Sequence, residues 1–195
     1  MNIADSDKDV PAAFANLEAI TYDGYAFRVL SGDRVIHNPK FEHLWAGTGA
    51  GRCNPEGVAR VYLSLERETA DAEFRHYQKI GGLDPDLVNF YSFSTKVNLA
   101  RVLDLRDAGT RRKLRISLNY ILAEWEPDPL IDPPPPITRL QVIGYWISKG
   151  HGDFSGIVCP SARRKNGHNL VIYKDRVIGG DSVIPVSSVA TKGWS

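Results

Sequence analysis

One acidic residue, Glu73, carries more chemical information than any other single position in this chain. In the segment RETADAEFRHYQK, Arg67 to Lys79, the apolar residues Ala70, Phe74 and Tyr77 recur at i, i+4 and i+7. Glu73 lies three residues after Ala70, so it falls on the same helical stripe. A carboxylate facing a core is costly unless it has a partner or a task. Periodicity alone leaves two readings open: an acid in a site, or a glutamate at the stripe edge paired with a nearby Arg or Lys.

Four further residues fit an anionic, ring-bearing ligand. Arg52 follows the run Gly47-Thr48-Gly49-Ala50-Gly51. Such a loop lets backbone amides approach phosphate, and a guanidinium can grip phosphate oxygens in a bidentate manner. The run is neither a dinucleotide fingerprint nor a P-loop: no buried strand precedes it, Cys53-Asn54-Pro55 does not open a helix, and no Gly-Lys-Ser/Thr follows. Composition alone favours a surface turn with a solvated Arg52. Arg28 stands in a strand among Ala26, Phe27, Val29 and Leu30, pointing either to water or to a phosphate. Tyr62 shares a strand face with Ser64 and offers a stacking surface for a flat ring, or ordinary packing against a helix. Ser161 follows Ile157-Val158-Cys159-Pro160; it either orients a ligand or side chain, or starts a turn.

The elements that must position these groups are short and mixed. Tyr25 to Leu30 reads as the first strand, after a loose or weakly helical leader over residues 1–20. Residues 31–60 read as a long loop with short strands at most. Val61 to Leu65 reads as a strand with Val61, Leu63 and Leu65 on one face. The helix from Arg67 to Lys79 is stopped by Gly81-Gly82. Phe90 to Val97 and Ala100 to Leu105 read as two strands, Thr110 to Glu124 as a basic amphipathic helix, and Ile137 to Ser148 as another helix. The proline-rich run from Pro127 to Pro136 reads as extended and surface-bound. Ser155 to Cys159, Asn169 to Tyr173 and Val183 to Val189 close the chain as strands. Strands scattered among few helices, without βαβ alternation, predict an α+β single domain with a mainly antiparallel mixed sheet.

Composition limits the classes of function. The 195 residues, 43% hydrophobic and 24% charged, suffice for one core. A net charge of +1 gives no overall field toward nucleic acid or anionic membrane. The basic groups Arg111-Arg112-Lys113-Arg115 and Arg163-Arg164-Lys165 are balanced by acids and read as solvated faces. Cys53 and Cys159 read as reduced thiols. The five histidines show no ligand spacing, so no metal is expected. The polar start, Met1 to Asp9, lacks the features of a secretory signal, and no apolar run matches a membrane helix, so a cytoplasmic protein is expected.

Together these segments resemble the RES domain, named for its Arg, Glu and Ser. GRCNPEGVARVYLSLERETADAEF, Gly51 to Phe74, is similar to the family's Gly-Arg-Trp-Asn motif, its Tyr-bearing strand and its Glu-bearing helix. GIVCPSARRKNGHNLVIY, Gly156 to Tyr173, is similar to a later strand ending in Pro-Ser followed by Asn-Leu-Val. FRV, Phe27 to Val29, and VLDLRDAG, Val102 to Gly109, match weaker pieces. The likeness spans about residues 22–175, so residues 1–21 are expected as a leader and 22–195 as the RES domain. Cys53 stands where the family usually has Trp.

The resemblance implies a core like that of diphtheria-toxin-type ADP-ribosyltransferases. It implies the toxin of a type II toxin–antitoxin system, paired with an Xre-like helix-turn-helix antitoxin that covers the active site. The implied reaction is cleavage of the nicotinamide–ribose bond of NAD+ by an ADP-ribosyltransferase, NAD+ glycohydrolase or phosphorylase. The acceptor (water, phosphate or a protein target) stays open. The naming residues map to Arg52, Glu73 and Ser161, with Tyr62 beside them. Arg28 and Arg52 are then expected on the phosphates or nearby ribose, Tyr62 against nicotinamide, Glu73 at the developing cation, and Ser161 orienting one of these groups. The alternative class is a non-enzymatic nucleic-acid or antitoxin-binding module.

Overall fold

The computed structural model describes residues 9–32, 47–86, 89–123 and 137–191, the last four of these by backbone alone. The strands are β1 (Ala19–Ser31), β2 (Arg60–Ser64), β3 (Phe90–Asp104), β4 (Gly156–Pro160), β5 (His168–Tyr173) and β6 (Ser182–Thr191). The helices are α1 (Asp9–Phe14), α2 (Arg67–Ile80), α3 (Ala108–Lys113), α4 (Leu118–Leu122) and α5 (Arg139–Ser148).

The six strands form one mixed sheet in the order β1-β2-β5-β4-β3-β6, and β1 also pairs with β3. The pairings β1–β2–β5–β4–β3–β1 therefore close a ring, with β6 added outside on β3. Only β3–β4 is parallel; the other pairings are antiparallel. This agrees with the α+β class and the mainly antiparallel sheet expected from the residue pattern. The ring interior is lined by Ala26, Val61, Leu63, Phe93, Val97 and Leu170 among others. A larger core, holding Phe14, Cys53, Leu114, Ile143, Ile147 and Phe154, joins α1 and α5 to the sheet. A small third cluster of Val29, Ala70, Phe74 and Phe90 seats α2 on β1.

β2 and α2 form as their patterns demand. Val61 and Leu63 are buried in the ring, and Tyr62 points the other way toward the larger core. α2 stops at Gly81, and the next residue, Gly82, holds φ +71, a conformation that favours glycine. Glu66 ties the start of α2 to β5: its Oε2 accepts from Thr69 Oγ1 at 2.7 Å and from the His168 amide at 2.9 Å. His168 Nδ1 lies 3.0 Å from Oε1 of the same side chain.

Several expected elements differ. β1 begins at Ala19 rather than Tyr25, because its first residues pair with Leu103 and Val102 of β3. The two strands expected over Phe90–Val97 and Ala100–Leu105 are one, β3, which changes neighbours along its length: its β6 pairing ends at Asn98, and its β4 pairing starts at Val102. The helix expected over Thr110–Glu124 is two short ones. Arg115 turns the chain at φ +54, and Ser117 caps the second helix by accepting from the Tyr120 amide. α5 starts at Arg139 because Thr138 and Gln141 form a capping box. The proline-rich run, residues 1–8 and residues 33–46 of the expected loop lie outside the described residues.

Candidate active site

The site lies where the ring is least zipped. β1 and β2 pair at one position, Phe27 with Ser64. Beyond that pair the strands part, and a cavity of about 440 Å³ occupies the wedge beside α2. That volume falls within the range of about 300–1,000 Å³ common to small-molecule sites. Its apolar wall includes Phe27, Phe74, Tyr77 and Leu83. Tyr77, on the helical stripe with Phe74, is 64% exposed because this end of the stripe overhangs the cavity mouth.

Glu73 lines this cavity from α2. Its Oε1 accepts two hydrogen bonds, from Ser161 Oγ and from Asn169 Nδ2, both at 2.6 Å. Neither bond uses Oε2. Asn169 is itself held, since its Oδ1 accepts from Ser64 Oγ at 2.8 Å, across a register pair of β2 and β5. Ser161 Oγ in turn accepts from the amides of Arg163 at 3.0 Å and Arg164 at 3.3 Å. Strands β2, β4 and β5 thus converge on one carboxylate and fix its orientation.

Tyr62 also lines the cavity, with its phenol anchored. The hydroxyl accepts from the Cys53 amide at 2.8 Å and donates to Asn54 Oδ1 at 2.9 Å. Burial pushes the phenol well above its ordinary pKa, with the neighbouring Cys53 thiol adding to the rise, so it stays protonated as this donation requires. The turn it grips cannot carry a side chain at Gly51, where a Cβ would come within 2.5 Å of Asn54 Oδ1 and 2.8 Å of the Tyr62 hydroxyl. Arg28 lines the cavity from β1, next to the Phe27–Ser64 pair.

The structure does not bring Arg52 into that lining. Its Nη1 donates to the carbonyls of Ile121 at 2.5 Å and Ala123 at 2.7 Å, at the end of α4. The guanidinium therefore ties the Gly51–Asn54 turn to α4, where the last carbonyls of a helix lack internal partners. Three members of the first basic group also make contacts within the fold. Arg111 Nη1 donates to the carbonyls of Leu105 and Arg106, Lys113 to that of Asn16, and Arg115 pairs with Asp9.

Two site residues escaped the sequence reading. Asn169 is adjacent to Leu-Val and reads as a strand residue; only its register opposite Ser64 shows its task. Arg60 falls at the end of the loop expected over residues 31–60, yet it is 8% exposed and lines the cavity. Its guanidinium lies 5.6 Å from the centroid of the Tyr62 ring, Nη1 donates to the Gly47 carbonyl, and the buried Nε has no partner among the described residues.

Fold and site together define a RES-domain protein: the model of that domain matches residues 26–190, and the chain belongs to the family. Among solved structures it is similar to a chain in the crystal structure of the M. tuberculosis MbcT–MbcA toxin–antitoxin complex. The TM-score is 0.71 at 17% identity, over 96% of this chain and 94% of that one. At that identity the likeness speaks to the fold alone. No curated protein sequence matches the chain.

Proposed function

We propose that this protein is a toxin of a type II toxin–antitoxin pair that cleaves the nicotinamide–ribose bond of NAD+. The observation that carries the reading is the fixed Glu73 carboxylate, held by Ser161 and Asn169 at a cavity also lined by Tyr62 and Arg28. Membership of the RES family and likeness to a chain of a toxin–antitoxin complex support the toxin role and an antitoxin partner; that partner is read as Xre-like and as covering the cleft. The core is read as ADP-ribosyltransferase-like and the location as cytoplasmic; no helix among the described residues is long and apolar enough to cross a membrane.

The chemistry follows from charge. Nicotinamide leaves as a neutral molecule, and stretching the glycosidic bond builds positive charge on the ribose. Glu73 places a fixed negative charge there, directly or through ribose hydroxyls, without reorganising during the reaction. Ser161 and Asn169 hold that carboxylate in place. Tyr62 presents its ring to nicotinamide, and Arg28 takes the pyrophosphate. Arg52 supports the site from behind by fixing the turn that anchors the Tyr62 phenol. The acceptor is water, phosphate or a protein side chain.

The test is free nicotinamide measured after purified protein meets NAD+, with Glu73→Gln as control. Release that is equal in the variant removes Glu73 from the chemistry, and no release by the parent protein overturns the reaction. Intact-mass analysis of a candidate target distinguishes protein ADP-ribosylation from loss to water or phosphate.

A further inference from the structure

We infer that Arg60 recognises the carboxamide on the nicotinamide ring and so selects the base of the dinucleotide; the inference rests on the NAD+ reading above. Arg60, Tyr62 and Ser64 share one face of β2. A strand rises about 3.3 Å per residue, so Arg60 and Ser64 stand roughly 13 Å apart along it, with Tyr62 midway. Ser64 marks the Glu73 end of the cavity, because Asn169 bridges the two. Arg28 belongs to the same end, beside the partner of Ser64 in β1.

That order matches the order of groups in the substrate. The bond to be cut is at Glu73. On one side of it lie ribose and pyrophosphate, at the end of β2 marked by Ser64. On the other side lies the pyridinium ring, which meets Tyr62. A substituent on the far edge of that ring then points toward Arg60. The Arg60 guanidinium already lies over the Tyr62 ring, with its Nε buried and without a partner among the described residues. A buried donor without an acceptor is a standing penalty, and a ligand oxygen relieves it.

The placement also favours the reaction. Before cleavage the pyridinium is cationic and sits near a fixed cation. As the bond breaks, its electron pair stays with the leaving ring, which becomes neutral, and the positive charge passes to the ribose beside Glu73. Charge moves from the Arg60 end of the cavity toward the carboxylate, so both residues favour the same direction.

The test is equilibrium binding by calorimetry of three dinucleotides to the parent protein, Arg60→Met and Arg60→Lys, each carrying Glu73→Gln in this measurement so that NAD+ persists. The three are NAD+, the analogue with a carboxylate in place of the carboxamide, and the analogue whose pyridinium carries no substituent. The parent protein is expected to prefer NAD+ over the bare-ring analogue and to bind the carboxylate analogue more tightly still, since a guanidinium can hold a carboxylate in a bidentate manner. Arg60→Met is expected to shrink the substituent preference by at least about tenfold while binding the bare-ring analogue at least as tightly, since its pyridinium then faces no fixed cation, which also shows that it folds. Arg60→Lys keeps the charge and is expected to retain a preference for NAD+ over the bare ring but lose the extra gain for carboxylate.

Equal weakening of all three ligands, as phosphate contact or loss of packing would give, overturns the assignment, and so does no change. A parent protein that shows the preference yet releases no nicotinamide ends the catalytic reading and leaves Arg60 assigned. One that does not bind NAD+ ends both.

Discussion

Ser161 donates its hydroxyl hydrogen to Glu73 Oε1 at 2.6 Å, joining the end of β4 to the middle of α2. The Ser161 oxygen meanwhile accepts two backbone amides of the following turn. The serine is thus oriented by the main chain and transmits that order to the acid. Two residues singled out by the RES resemblance thus meet as a positioning pair.

Replacing Glu73 by Gln keeps the shape and removes the charge. The variant is expected to lose about 10²–10³-fold in kcat for nicotinamide release, the range seen when one preorganised electrostatic group is removed. KM is expected to change little, because the charge acts on the transition state more than on the bound dinucleotide. Steady-state kinetics on NAD+ separate the two parameters.

Ser161→Ala leaves Glu73 with the Asn169 donor alone. A hydrogen bond to a charged group contributes about 1.5–3 kcal/mol, so a fall in kcat of roughly tenfold or more is expected. The amides of Arg163 and Arg164 also lose their acceptor. Pairing this variant with Asn169→Ala in a double-mutant cycle should show strong non-additivity, since both donors serve one oxygen.

Arg52→Ala is expected to act on stability before binding. Its two bonds to α4 carbonyls are charge-assisted, and losing them should lower unfolding free energy by about 1.5–3 kcal/mol, read by chemical denaturation. Its KM for NAD+ should rise less than that of Arg28→Ala. An equal rise would return Arg52 to the substrate.

Acid stability should report on Glu66. Burial opposes its charge, but hydrogen bonds from Thr69 and from the His168 ring and amide outweigh that and hold the carboxyl below its ordinary range. A depressed native pKa adds stability that is fully present above the unfolded value, about 4.3, and is lost as pH falls through the folded value. The parent protein should therefore lose stability over the acid interval below about pH 5, more steeply than Glu66→Gln. Thermal melts across that interval measure the difference.

Gly144→Ala should be severe for a steric reason. A Cβ there would overlap the Cys53 carbonyl and crowd the Tyr173 hydroxyl, which donates to that same carbonyl at 2.7 Å. Overpacking of this kind costs about 1–3 kcal/mol or more. Because Cys53 belongs to the turn that anchors Tyr62, NAD+ turnover should fall together with Tm in the variant.

What could be read from the residue order was what depends on neighbours in sequence. The alternation in β2, the stripe on α2 and its glycine stop are all local, and they put Tyr62 and Glu73 on the right elements. The break expected within β3 has a physical origin as well: near Asn98 the strand exchanges one neighbour for another, and its composition changes with it. Arg60 and Asn169 were hidden because their meaning is tertiary. Nothing around Arg60 in sequence says that a strand edge will part beside it, and nothing around Asn169 names Ser64 as its partner. The tie from Arg52 to α4 was hidden for the same reason, since the carbonyls that take its donors come from a distant element.

The single rung between β1 and β2 has one more implication. Past Phe27 and Ser64, two strand margins face each other across a gap too wide to bridge by themselves. A molecule lodged between them touches both and completes a wall that the polypeptide leaves unfinished. Capture of a ligand and consolidation of the barrel are then the same event, and amide hydrogen exchange along β2 should slow when the gap is filled.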